Sequence, residues 1–195
     1  MSRTMRKRLH QALTDQNLQT ALQRRRLLAR PFRHLAAATA PDFEPLSREI
    51  HRVKEEAIAS LPRLIEQFKA EAIKSGAHIF EARDARSAND YVLKVAQQHN
   101  VKHIVKSKSM LTEEIELREH LEKRGIEVRE TDIGEWIVQL AGERPAHIVG
   151  PAMHKTTEQI AELFSKATGQ KVEPDPQVLL NVSRRALRQS YIEAD

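Results

Sequence analysis

Val101-Lys102-His103-Ile104-Val105-Lys106-Ser107-Lys108-Ser109-Met110-Leu111-Thr112 is the stretch on which the fold turns. A short run rich in β-branched residues passes into a loop of alternating lysine and serine, and Thr112-Glu113-Glu114 then opens a helix. A strand, a polar loop and a helix in that order form the basic step of an α/β fold. In such folds ligands collect outside the carboxyl ends of the strands, where backbone N–H groups, hydroxyls and cationic side chains meet. Lys106, Ser107, Lys108 and Ser109 are therefore a candidate cradle for an anion or phosphate. They are equally a solvated loop, since no glycine-rich fingerprint accompanies them.

The pattern extends in both directions. Downstream, a helix over 112–124 ends at Gly125, and Ile126-Glu127-Val128-Arg129 alternates as a strand that runs into Thr131-Asp132. A short helix around Trp136 and Leu140 follows, with Trp136 as a core anchor. His147-Ile148-Val149 reads as a further strand, and Thr156 with Gln159 has capping-box spacing for a helix reaching about Ala167. Pro174-Asp175-Pro176 marks a turn before a last helix, Val178 to Tyr191. Upstream, Ala77 to Ala82 reads as a strand, and Ser87 with Asp90 opens a helix carrying Tyr91, Val92, Val95 and Ala96. Strands alternating with helices at this spacing predict a parallel, Rossmann-like sheet.

Ahead of the sheet lies a helical extension, so the expected division is a helical region over 1–75 and an α/β domain over 76–195. Leu9 to Leu28 has loosely helical spacing that ends near Pro31. Leu46, Ile50, Val53, Ala57, Leu61, Leu64, Phe68 and Ala72 form one long stripe in steps of three or four. Pro62 kinks or restarts that helix, with Ser60 as cap, and Gly76 ends it.

Composition narrows the function classes. The 195 residues contain no cysteine, which excludes disulfides, a catalytic thiol and cysteine-ligated clusters within the chain. No apolar run approaches the roughly 20 residues of a membrane helix, and the N-terminus lacks a signal-peptide core, so a cytoplasmic location is expected. Net charge is +5, but residues 1–33 carry nine basic side chains against Asp15 alone, so the rest of the chain is net negative. Such an arm suits nucleic acid, an anionic surface or an acidic partner. With aromatics at 4% and only Phe32 in the arm to stack on bases, nucleic acid is the weakest of these.

Two further segments carry chemistry. Thr131-Asp132 lies at a strand end, where the aspartate can meet a ribose or orient a base; as the cap of the helix starting at Ile133 it needs no ligand. His154-Lys155 follows the expected fourth strand, and a histidine there can act as general acid or base. No nucleophile stands at an interpretable spacing from it. No His-x-x-His or His-Glu-x-x-His metal pattern occurs.

Four runs in fixed order now point further: Ile104-Val105-Lys106-Ser107-Lys108-Ser109-Met110-Leu111-Thr112, Glu130-Thr131-Asp132-Ile133-Gly134-Glu135, Ile137-Val138-Gln139-Leu140-Ala141-Gly142-Glu143, and Pro145-Ala146-His147-Ile148-Val149-Gly150-Pro151-Ala152-Met153-His154-Lys155-Thr156. Together they resemble the lactate-utilisation protein B family over nearly the whole chain. The resemblance implies a lactate-utilisation (LUD) domain with the fold of the sugar-phosphate isomerases and CoA transferases. It implies that a separate ferredoxin-like module carries iron-sulfur clusters in the full-length protein, with no cofactor in this chain. It also implies a cytoplasmic, multi-subunit system that oxidises L-lactate to pyruvate, with other lactate-utilisation subunits as partners.

Relative to that family the chain reads as an N-terminal piece with an incomplete sheet, whose open edge would favour a homo-oligomer. By itself such a piece is not expected to be catalytic. Two other readings stay open: a non-redox domain binding a small phosphate, carboxylate or CoA-type ligand, and a basic interaction module on an α/β scaffold.

Overall fold

In the computed structural model, which describes residues 3–40 and 42–195, the chain is mostly helical and holds a small parallel sheet. The N-terminal part is α1 (Arg3–Thr14), α2 (Gln16–Thr39), α3 (Phe43–Ala59) and α4 (Leu61–Lys74). Then come α5 (Ala85–Gln98), β1 (His103–Lys106), α6 (Met110–Glu114), α7 (Leu117–Glu122) and β2 (Glu127–Glu130). The chain continues through α8 (Ile133–Ala141), α9 (Thr157–Thr168) and α10 (Pro176–Glu193). Leu27–Arg83 forms one compact unit, and the residues up to Arg26 join Asp84–Asp195 in the other.

Within Leu27–Arg83 the expected apolar stripe is present on α3 and α4, but neither helix buries a residue. Ser60 separates the two, with Pro62 in the first turn of α4, where its missing N–H costs no helical bond. Ser60 makes no side-chain cap. Pro31 does not end its helix as expected; it lies inside α2. A proline there forfeits one hydrogen bond, and the leucine and alanine run from Leu35 to Ala38 has the propensity to carry the helix on.

The α/β class is as expected, but the described residues hold two strands where the sequence suggested four. Residues 77–82 have strand composition yet lie in the unit Leu27–Arg83, where no other strand offers an edge to complete their hydrogen bonds. Residues 147–149 form a bend instead of a strand. Pro145 and Pro151 bracket the segment and remove donors, and local bonds take over, from Val149 N–H to His147 Nδ1 and from Ala146 N–H to the Pro151 carbonyl. The helix expected over 112–124 is broken in two at Glu116, whose φ of 54° places it in the left-handed region.

β1 and β2 run parallel in the register His103 to Glu127, Ile104 to Val128, Val105 to Arg129 and Lys106 to Glu130. Leu93, Ala96, Leu117, Leu121, Ile126 and Val128 form the core that joins α5 and α7 to the sheet. A second core unites α8, α9 and α10 around Trp136, with its ring 4.8 Å from that of Phe164. Trp136 is thus the anchor the sequence suggested. α10 returns to the sheet: Tyr191 donates its hydroxyl to the Thr131 carbonyl at 2.9 Å, and the Asp195 carboxylate accepts from the N–H groups of Lys102 and His103. The amino end of β1 and the carboxyl end of β2 are thereby tied to α10.

Candidate functional site

Four basic side chains from the sequence, Lys106, Lys108, His154 and Lys155, each meet a carboxylate, the first of them at the carboxyl end of β1. Lys106 closes β1. Its ammonium lies 2.8 Å from Glu130 Oε1 and 3.4 Å from Glu113 Oε1, and its side chain is only 10% exposed. Glu130 follows Ile126 and Val128 at alternate positions and so shares their buried face. Burial pushes its carboxyl above the ordinary value, and Lys106 only partly opposes the shift. Gln139 of α8 locks this end of β2, donating to the Val128 carbonyl at 2.6 Å and accepting from Glu130 N–H at 3.2 Å.

Lys108 occupies the loop between β1 and α6. Its ammonium is 2.6 Å from Glu135 Oε1, yet a third of its side chain faces solvent while Glu135 is 4% exposed. Glu135 sits in the first turn of α8, and Asp132 caps that helix by accepting from Gly134 N–H at 2.8 Å. Interaction with the Glu135 carboxyl holds Asp132 below its ordinary value, while burial, followed by the same interaction, raises Glu135.

The remaining candidates divide between local structure and the site. Ser109 caps the short α6 through Thr112 N–H, and Ser107 is exposed. Thr131 bonds the Lys106 carbonyl through both its N–H and its hydroxyl at 3.0 Å, tying the two strand ends together. His154 and Lys155 leave the turn before α9 and both reach Glu143, His154 at 2.6 Å. Burial pushes the Glu143 carboxyl up, but the bonds from Lys155 and His154 outweigh it and leave it below the ordinary value.

These pairs surround a cavity of about 10 Å³, lined by Glu113, Arg118, Glu130, Glu135 and Glu143 together with apolar contacts. That is room for a single water. The cations are legible in the sequence, and their partners are not. One signal was available: Glu130 continues the apolar alternation of Ile126 and Val128, and a charge on a buried parity requires a partner.

The arrangement is a paired one. Every lysine here is neutralised in place, and Lys108, the most exposed, is the one an incoming anion can reach. The site does not fit an iron-sulfur cluster, for the chain offers no thiolate. Among the described residues no three His, Asp or Glu side chains gather in a way that can hold a metal ion, and no helix is long and apolar enough to cross a membrane.

Known proteins are similar to this chain. The chain is 41% identical over 145 residues to a protein named lactate utilization protein B from Geobacillus thermodenitrificans, covering 74% of this chain and 30% of that one. The protein of the same name from Bacillus subtilis is 41% identical over 155 residues, 79% of this chain and 32% of its own. That of Bacillus velezensis is 38% identical over 161 residues, 82% of this chain and 34% of its own. The chain thus spans about a third of the length of these relatives. No solved structure matches it. The LUD domain family matches residues 65–195, two-thirds of the sequence, and the chain belongs to that family.

Proposed function

We propose that this chain is the anion-binding part of a lactate-utilisation protein, acting with other lactate-utilisation subunits in the oxidation of L-lactate to pyruvate. Electron transfer belongs to iron-sulfur clusters held outside these residues. The role of the chain is to receive a small carboxylate or phosphate at the carboxyl ends of β1 and β2. The names of its relatives support the pathway. The observation that carries the binding role is Lys108, an ammonium open to solvent and resting on a buried glutamate.

In this reading Lys108 makes the first contact with the ligand's anionic oxygen, and Lys155 and His154 supply the next cationic groups. Lys106, nearly enclosed, keeps β1 and β2 in register. Thermal melting with L-lactate, pyruvate, inorganic phosphate and CoA tests the reading. At least one of these anions raises the melting temperature of the wild-type chain, and Lys108→Ala loses most of that rise. An unchanged response in the variant contradicts the site.

A further inference from the structure

We propose that the anion enters this site together with a proton: it draws the Lys108 ammonium away from Glu135, and the Glu135 carboxylate takes up a proton from solvent. This rests on the anion site proposed above and adds to it a change in charge state.

Burial sets the direction. Glu135 is 4% exposed and Lys108 is its cationic partner at 2.6 Å. When an anion claims that ammonium, the glutamate is left as a buried, uncompensated charge, which is a costly state. Its other oxygen receives no hydrogen bond from the protein, so no second donor can take over.

An acceptor for the proton is already in place. Asp132 accepts from the N–H groups of Gly134 and Glu135 at the start of α8, and its interaction with the Glu135 carboxyl, together with those N–H groups, holds it below its ordinary value. Protonated Glu135 donates to this carboxylate and loses nothing by the departure of Lys108. The loop between β1 and α6 contributes Lys108 itself, with Ser107 and Ser109 beside it, so the ammonium can swing outward without disturbing the Lys106–Glu130 pair.

The other groups facing Glu135 favour the same outcome. Glu130 from β2, Glu113 from α6 and Glu143 beyond α8 share its cavity, with Arg118 from α7 as the cation on its wall. A bare anion adds a charge to this group, whereas an anion with a proton leaves its net charge unchanged. Burial, followed by the Asp132 contact, holds the Glu135 carboxyl above its ordinary value, the direction that favours uptake. The ligand class that follows is a small anion whose own charge is fixed near neutral pH, as in a carboxylate or sulfate.

Titration calorimetry of the 195-residue chain tests this, with L-lactate and with sulfate at pH 7, in two buffers of different ionisation enthalpy. The difference in heat between the buffers counts protons directly. About one proton is taken up per anion bound, and Glu135→Gln binds the anion with uptake near zero. Asp132→Asn, which removes the acceptor's charge, lowers the uptake independently. Binding with no uptake in the wild type, or equal uptake in Glu135→Gln, overturns the inference and leaves the anion site standing. Absence of any binding of either anion removes the anion site, and the inference with it.

Discussion

Lys106 and Glu130 stand opposite each other at the last rung of the parallel ladder, and their side chains meet at 2.8 Å. The backbone register and the ion pair are one arrangement, since pairing any other residue with Lys106 would carry Glu130 out of reach. With 10% and 3% of their side chains exposed, the two charges depend on each other. Lys106→Met leaves Glu130 buried without its main counter-charge and lowers stability by about 3–5 kcal/mol. The double variant Lys106→Met, Glu130→Met recovers most of the loss. Urea melts of the wild type, both single variants and the double variant measure the coupling, and strictly additive losses contradict the pairing.

Glu130 and Glu135 shape the response to pH. Their carboxyls are held above the ordinary value of 4.5 in the folded chain. As pH rises through 4.5 the unfolded chain releases these protons first, so the two residues reduce stability progressively until they too ionise. Asp132 and Glu143, held low, act in reverse, and their contribution is lost only as acid protonates them. The stability of Glu130→Gln relative to wild type therefore increases from pH 4 to pH 7. Thermal melts across that range check it, and a flat difference counts against the assignment.

The second core depends on Phe164, which is fully buried against Trp136. Phe164→Ala is expected to cost about 3–5 kcal/mol, from lost burial and an unfilled cavity. Denaturant unfolding followed by Trp136 fluorescence reports both the loss and the altered ring environment.

Thr156 caps α9 by accepting from Gln159 N–H, and the Gln159 side chain returns a bond to Thr156 N–H at 3.0 Å. Thr156→Ala lowers stability by about 1 kcal/mol. Thr156→Ser keeps the acceptor and loses only a fraction of that, which separates the cap from simple packing.

The elements legible in the sequence were those specified by neighbouring residues. The capping box of Thr156 and Gln159, the stop at Gly125 and the passage from β1 into α6 all depend on residues within a few positions of one another. Residues 77–82 and 147–149 misled because a strand is a property of a pair: alternation offers one edge, and the sequence alone does not supply the other. Glu116 broke a helix without any glycine to announce the left-handed turn. At the site the cations were legible from Lys106, Lys108 and Lys155, whereas Glu135 and Glu143 lie 27 and 12 positions from their lysines and meet them only through the fold.

In the proposed function an anion binds at the carboxyl ends of β1 and β2, with Lys108 as its first contact. Backbone amide NMR of the 195-residue chain titrated with L-lactate and with phosphate tests it most directly. Saturable shifts confined to residues 106–109, 131–135 and 153–156, and abolished by Lys108→Ala, are the predicted result. Saturable shifts centred elsewhere, or no shift with either anion, contradict it.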